Sequence, residues 1–371
     1  MEFLRNKLEV SQTADLLLHC VKTVPNEATI LTHPDRGVDW QSLTDLAGLH
    51  RVTPLLYQRL RGAESDQVPA DVLNHLKRNC LENAARNLLL NDFLVRLVSR
   101  FRAQCIQVLP FKGPALALMA YRDLALRQIG DLDILVAKRD YASAGELLES
   151  QGLVRTADLE WESSYVDESG QICIDLHRSV TSRMFPISFK FQQLFKRRAT
   201  VKGPGGSLDT ISPADMLIVL CVQVAKDGYL ERCRLHKLCD IRELLRSQPN
   251  LSLPLVRRQA QRLGCRRILE VGLHLTDVLL GDSTQLGTGS SPIDRQSHEA
   301  AETIMTSMFG SEKNQALAPF RSRQYYVALR ERRRDRVLPY LNRVFAPTQA
   351  DRAFVSPPFA SEFVYFLVRP I

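Results

Sequence analysis

Apolar and polar positions change their period along this chain, and each change predicts a different element. Ala85, Leu88, Phe93, Leu94, Leu97, Val98 and Phe101 recur near helical spacing, which predicts a long amphipathic helix with this stripe in the core. Val68-Pro69-Ala70-Asp71 predicts a helix start, where proline is tolerated because its missing N–H has no partner to lose. From Cys105 the period shortens. Cys105 to Leu109 predicts a strand, Pro110 to Pro114 a turn and Ala115 to Tyr121 a helix. Leu132 to Val136 is a short apolar run that predicts a buried strand. Tyr141 to Ser150 predicts a helix closed by Gly152. Gln171 to His177 alternates strictly: Ile172, Ile174 and Leu176 take one face, and Cys173, Asp175 and His177 the other. Turn residues Asp167 to Gly170 precede it, and Trp161 to Val166 predicts the partner strand of a hairpin.

Further on, Gly203-Pro204-Gly205-Gly206 predicts a turn between strands ending at Val201 and beginning at Leu208. Ser212-Pro213-Ala214-Asp215 combines a serine cap, a proline at the first helical position and an acid at the third. Helices therefore resume there. Gly281 to Pro292 predicts a mobile loop, Ala300 to Met308 a helix, and the apolar tail Phe363 to Val368 is expected to pack on the body, with a membrane surface as the alternative. The pattern divides the chain into a helical region (1–104), an α+β unit (105–211), a second helical region (212–290) and a C-terminal helical and basic segment with its tail (291–371).

Composition changes this picture little. In 371 residues, 45% hydrophobic and 24% charged content are ordinary globular values. The eight cysteines are scattered with no Cys-x-x-Cys pair, which argues against a zinc ribbon or a redox pair and predicts reduced thiols in the cytoplasm. Met1 to Cys20 lacks the basic start and apolar run of a signal peptide. The apolar stretch Met216 to Ala225 is too short to span a bilayer. A net charge of +8 suits a protein that handles polyanions. The densest basic run, Arg330 to Arg336, is interrupted by Glu331 and Asp335 and predicts a solvated helix face. Nucleic-acid binding would need the basic clusters aligned on one surface.

Candidate chemistry concentrates in the α+β unit. Asp131 and Asp133 lie at i and i+2, so in a strand they project to one face. Adjacent carboxylates repel unless a cation sits between them. A hard divalent ion takes oxygen ligands and leaves room for substrate phosphates. If the later hairpin lies beside this strand, Asp175 joins the same face, giving three acids, enough for two metals. The plain alternatives are a solvated strand start for Asp131 and Asp133 and a wet sheet face for Asp175. His177 reads as a hydrogen-bonded strand-end histidine. Lys112 and Gly113 fall at a strand-to-helix turn, where glycine permits close backbone approach, a helix N-terminus favours phosphate and lysine supplies a point charge. The alternative for Lys112 is an ordinary surface lysine.

Taken together, Phe111-Lys112-Gly113, Tyr121-Arg122-Asp123, Arg127 with Gly130-Asp131-Leu132-Asp133-Ile134-Leu135-Val136, and Asp175-Leu176-His177 resemble the bacterial "uncharacterised nucleotidyltransferase" family of the DNA polymerase-β-like superfamily. His50 to Leu55 and Leu235 to Ile241 fit its flanks more loosely. The resemblance implies a polymerase-β-like α+β core flanked by helical regions. It implies metal roles for Asp131, Asp133 and Asp175, and phosphate binding near Lys112, Gly113, Arg127 and Gly130. The reaction implied is Mg²⁺- or Mn²⁺-dependent transfer of a nucleoside monophosphate from a nucleoside triphosphate to an acceptor, which could be a small molecule, a peptide or protein, or an RNA end. The chain departs from relatives in carrying Pro114 after Gly113, and Gln223 and Asp227 where histidines are usual. The competing class is a non-catalytic nucleic-acid or partner-binding protein on the same scaffold. Converging carboxylates argue against it, because they repel a polyanion.

Overall fold

In the computed structural model, which describes residues 12–22, 37–62, 68–181, 187–230, 232–281, 293–309 and isolated positions between 325 and 336, a mixed five-stranded sheet has the order β1-β2-β5-β4-β3. β1 (Val108–Pro110) is antiparallel to β2 (Leu132–Val136). β2 is parallel to β5 (Cys173–His177). β5, β4 (Glu162–Val166) and β3 (Val154–Asp158) follow as antiparallel neighbours. The α+β class read from the sequence holds. β6 (Ala199–Gly203) and β7 (Gly206–Thr210) form a separate ribbon with Val201 opposite Leu208, as the glycine-rich turn predicts.

The two sheet faces have different partners. Leu132, Ile134 and Val136 of β2 and Ile174 and Leu176 of β5 join one core with Leu90, Leu94, Leu97, Val98 and Phe101 of the long helix α4 (Ala70–Ala103) and Ala144, Leu147 and Leu148 of α6 (Tyr141–Ser150). The opposite face carries Asp133 and Leu135 on β2, and Asp175 and His177 on β5. Leu109, Phe111 and Leu135 belong to a second core built mainly by helices. These are α1 (Gln12–Lys22), α2 (Trp40–Leu49), α3 (Thr53–Leu60), the short α7 (Phe191–Lys196), α8 (Pro213–Tyr229), α9 (His236–Ser247), α10 (Leu253–Leu263), α11 (Arg266–Leu280) and α12 (Arg295–Phe309). α8 is surrounded by that core, with Met216 to Val222 all buried. Its apolar run is therefore a packing element, and among the described residues no helix is long and apolar enough to cross a membrane. Ser212 caps α8 by accepting a hydrogen bond from the Asp215 N–H at 3.2 Å. The predicted loop from Gly281 to Pro292 lies almost wholly, and the apolar tail entirely, outside the described residues.

Several expectations shift. β1 is shorter than predicted, because Cys105 adopts a left-handed φ of 58° in the turn that ends α4. The helix predicted from Ala115 to Tyr121 is instead a short α5 (Gly113–Leu116) running into a wider turn over Ala117–Tyr121, stopped by Arg122 at φ 59°. The α4 stripe keeps Leu94, Leu97, Val98 and Phe101 in the core, but Leu88 is 48% exposed and Ala85 is exposed. Asn87 and Asn91 are buried in that part of the helix. The cause is hydrogen bonding. Asn87 Nδ2 donates to the carbonyls of Leu124 and Arg127, both at 2.7 Å. Asn83 Nδ2 donates to Ala125 and Arg127 at 2.9 and 3.2 Å. Arg86 Nη2 donates to the Gly130 carbonyl at 3.1 Å. Buried carbonyls need donors, so α4 turns a polar edge towards the segment that leads into β2. Asn87→Ala should leave two buried carbonyls without this donor and lower unfolding free energy by about 1–3 kcal/mol. Urea titration of the variant and wild type checks this, and equal midpoints would show that the asparagine contributes nothing.

The described residues of the basic run do not form a solvated helix face either. Arg330 is 0% exposed. The Glu331 carboxylate accepts the Arg267 N–H at 2.6 Å. Arg332 donates to the carbonyls of Gln261, at 3.2 Å, and Arg262. Those carbonyls end α10, where the Gln261 carbonyl also accepts the Gly264 N–H at 3.1 Å and the helix dipole favours a cation.

Candidate active site

The parallel register of β2 and β5 sets Asp133 beside Asp175. Since i and i+2 share a face, His177 follows Asp175 on the same side. β4 lies on the other flank of β5, with Ser164 opposite Asp175 and Glu162 opposite His177. The contacts follow this register. Ser164 Oγ donates to Asp175 Oδ1 at 2.7 Å. His177 Nε2 lies 3.0 Å from Asp133 Oδ1, and its Nδ1 lies 3.2 Å from Glu162 Oε2. Phe111 meets the imidazole edge-on with ring centroids 5.1 Å apart. One ligand atom each from Asp133, Asp175 and His177 fall within 4.8 Å of one another.

Lys112 comes from the turn after β1 and ion-pairs with Asp133 Oδ1. Asp133 is 3% exposed and the lysine side chain 20%. The turn needs glycine at 113. Its φ is +51°, and a Cβ there would stand 3.2 Å from the Asp131 carbonyl, so both conformation and space exclude a side chain. Asp131 sits just before β2 with its side chain exposed. A Cβ on Gly130 would meet Arg51 Nη1 at 3.4 Å, so the Arg51 guanidinium lies alongside this approach.

Arg127 is placed differently from Lys112. Its Nε lies 3.0 and 3.2 Å from the two Asp240 oxygens and its Nη2 3.2 Å from Oδ2. The Tyr121 hydroxyl donates to the same carboxylate at 2.8 Å. Arg127 is therefore clamped to α9 while its backbone carbonyl is held by α4. The looser flanking motifs meet here as well. The Leu235 N–H donates to His50 Nδ1 and the His236 N–H to the His50 carbonyl, each at 3.2 Å. Asp227 pairs with Lys237 at 2.5 Å and Arg232 at 3.5 Å.

The electrostatics divide the carboxylates. Burial works to raise Asp133, but the Lys112 ammonium and the His177 hydrogen bond outweigh it and hold the carboxyl well below its usual range. Asp131 is raised chiefly by the Asp133 charge, against Lys112, Arg127 and Arg51. Asp175 is raised by burial, against the Ser164 hydrogen bond. His236 is pushed well down by burial and by Lys237, Arg127 and Arg51. Burial also lowers Lys226, and the Lys112 and Lys237 charges act in the same direction against Asp227.

The arrangement can hold a divalent cation. Asp133 Oδ2 is buried without a hydrogen-bond partner, and buried polar atoms ordinarily have one. The structure thus groups Asp133, Asp175, His177 and Lys112, sets Asp131 and Gly113 alongside, and ties Arg127 to Asp240. Sequence reasoning missed Glu162 and Ser164, and assigned no role to Tyr121 or Asp240 although both lie in segments that carry the resemblance. The alternation of β4 carried a signal for the first two, since Glu162 and Ser164 share a face. For Asp240 the local sequence carried none.

Among solved structures, an antigenic nucleotidyltransferase-like protein from Paracoccidioides brasiliensis is similar at 16% identity and a TM-score of 0.34, covering 54% of this chain and 91% of that chain. No curated protein matches. The family described as "Uncharacterised nucleotidyltransferase" matches residues 36–281, a span that holds the whole sheet, both carboxylate strands and the helices packed behind them, and the chain belongs to that family.

Proposed function

We propose that this protein is a Mg²⁺-dependent nucleotidyltransferase that moves a nucleoside monophosphate from a nucleoside triphosphate to an acceptor. The observation that carries the reading is the in-register pairing of Asp133 and Asp175 on parallel strands, with Asp131 just before β2. Asp131, Asp133 and Asp175 would hold divalent metal, for which the orphaned Asp133 Oδ2 is a fitting donor. Such an ion supplies charge neutralisation on the triphosphate and a lowered pKa for the acceptor hydroxyl.

The chain's own residues have distinct roles. Lys112 binds the triphosphate as a point charge. Gly113 and Gly130 keep the approach free of side chains, and Arg51 and Arg127 add positive charge beside Asp131. Asp175 accepts the acceptor's proton, a role suited to a carboxylate whose pKa burial has raised. The acceptor oxygen bonds to the α-phosphorus, the bond from that phosphorus to the bridging oxygen breaks, and pyrophosphate leaves. A cytoplasmic location accords with the eight cysteines, all of them free thiols.

Incubating the protein and a cell extract with each α-labelled nucleoside triphosphate, with and without Mg²⁺, tests the proposal. A labelled acceptor that forms with Mg²⁺, and not with an Asp133→Asn variant, supports it. Label transfer unaffected by either change would end it. A separate expectation concerns Lys112→Ala. Removing a charged contact should weaken nucleotide binding by about 1.5–3 kcal/mol. It also strips Asp133 of its ammonium partner, so the metal-free protein should melt at a lower temperature and regain part of the loss with Mg²⁺. Calorimetric titration and thermal melts read both effects. Unchanged nucleotide affinity would show the phosphate site lies elsewhere.

A further inference from the structure

We infer that His177 is a metal ligand, and that Asp133, Asp175 and His177 form a mixed oxygen and nitrogen site that selects Mn²⁺ over Mg²⁺. This rests on the metal reading above and refines it. His177 Nε2 lies 3.0 Å from Asp133 Oδ1, and its ligand atom and those of the two aspartates lie within 4.8 Å of one another, a span that one ion can bridge. The imidazole is oriented from two other sides. Glu162 Oε2 stands 3.2 Å from Nδ1; the contact is not a hydrogen bond, but a carboxylate there favours the proton on Nδ1 and so leaves Nε2 for a ligand. Phe111, wholly buried, meets the ring edge-on and fixes its plane.

A second observation points the same way. Asp133 is 3% exposed, yet its Oδ2 has no hydrogen-bond partner. Its other oxygen is shared by Lys112 and His177, so the buried carboxylate has capacity left for a cation. Glu162 and Phe111 lie against the ring without hydrogen-bonding it. They make sense as supports for a ring that must present Nε2 in one direction.

The ligand set decides the ion. Mg²⁺ demands oxygen ligands in near-octahedral geometry. Imidazole nitrogen suits transition metals, and carboxylates suit both Mg²⁺ and Mn²⁺. Two carboxylates and one imidazole therefore favour a transition ion over Mg²⁺, and Mn²⁺, which shares most with Mg²⁺ in its liking for oxygen, is the probe of that preference.

Binding of Mn²⁺ to the full-length protein, followed by loss of the free-ion electron paramagnetic resonance signal, tests this without reference to activity. Wild-type protein is expected to bind Mn²⁺ and to keep it in a large molar excess of Mg²⁺. His177→Asn should weaken Mn²⁺ binding by about tenfold to a hundredfold and let Mg²⁺ displace it. Glu162→Gln leaves all three ligands in place, so it guards against a His177 variant that misfolds. It should weaken Mn²⁺ by about tenfold. His177→Asp, which restores a third oxygen ligand, should bind Mg²⁺ better than the wild type does. If the wild type binds Mn²⁺ and neither the His177→Asn nor the Glu162→Gln variant alters its affinity or its resistance to Mg²⁺, the histidine is structural and this inference fails while the carboxylate site stands. If the wild type binds neither ion and Asp133→Asn changes nothing, the metal reading itself fails.

Discussion

Asp133→Asn should reduce nucleotidyl transfer roughly a thousandfold or more, the scale of losing a preorganised charge at the reacting centre. Asparagine is nearly isosteric, so the strand and its register with β5 should persist. What disappears is the charge on which Lys112 and His177 converge. Asp131→Asn should reduce transfer as well, but it removes the charge of a side chain that solvent already reaches, so its effect on stability should be small. Asp175→Asn should lower turnover strongly with a modest effect on nucleotide binding, as expected for a base.

The pH dependence of stability separates Asp133 from its neighbour. Asp133 is held below its usual range in the folded state. It therefore contributes stability that is fully present above the ordinary carboxylate pKa and is lost as pH falls through the lower folded value. Asp131 is held above its usual range, so it costs stability as pH rises through that window. Asp133→Asn removes the first contribution and relieves the second. The stability loss of the variant should therefore shrink as pH falls below the ordinary carboxylate range, where the wild-type Asp133 finally takes up its proton. Steady-state label transfer and melts across that range provide both readings. A variant with wild-type turnover would sink the proposed chemistry.

Asp240→Ala is expected to destabilise the protein by about 3–5 kcal/mol, the usual consequence of leaving a buried charge without its partner. Asp240 is 1% exposed and the Arg127 side chain 11%. The carboxylate receives the Arg127 fork and the Tyr121 hydroxyl, so its removal strands a guanidinium and a phenol together. The loss is large against the roughly 5–15 kcal/mol that holds a typical domain. Arg127→Ala should cost a similar amount by stranding Asp240. The paired change Arg127→Met with Asp240→Leu should recover much of it, because replacing both ions with apolar groups removes the desolvation cost as well as the attraction. Denaturant titration of the two single variants and the pair gives the coupling energy. A loss of less than about 1 kcal/mol in both single variants, joined to weaker nucleotide binding in Arg127→Ala, would return Arg127 to direct phosphate contact.

Features set by a few neighbouring residues are legible in the sequence by itself. Strict alternation puts Asp175 and His177 on one face of β5 and their apolar neighbours on the other, because side-chain direction in a strand depends on the backbone of that strand alone. For the same reason Asp131 and Asp133 can be paired, the Ser212 cap recognised and the glycine-rich turn between β6 and β7 placed. The family resemblance, too, is carried by short contiguous runs. Other features depend on segments far apart in the chain. The parallel register that sets Asp133 against Asp175 arises from backbone pairing between β2 and β5, which no local pattern encodes. Glu162 and Ser164 gain their roles because β4 lies beside β5, and Lys112 because its turn folds over Asp133. Arg127 reads as free for phosphate until α9 brings Asp240 to it, and the basic run reads as solvated until Arg332 meets the last carbonyls of α10. A charged side chain goes wherever a buried opposite charge or an unpaired carbonyl awaits it, and those partners are assembled by packing between distant elements, so their identity cannot be read from the residues on either side.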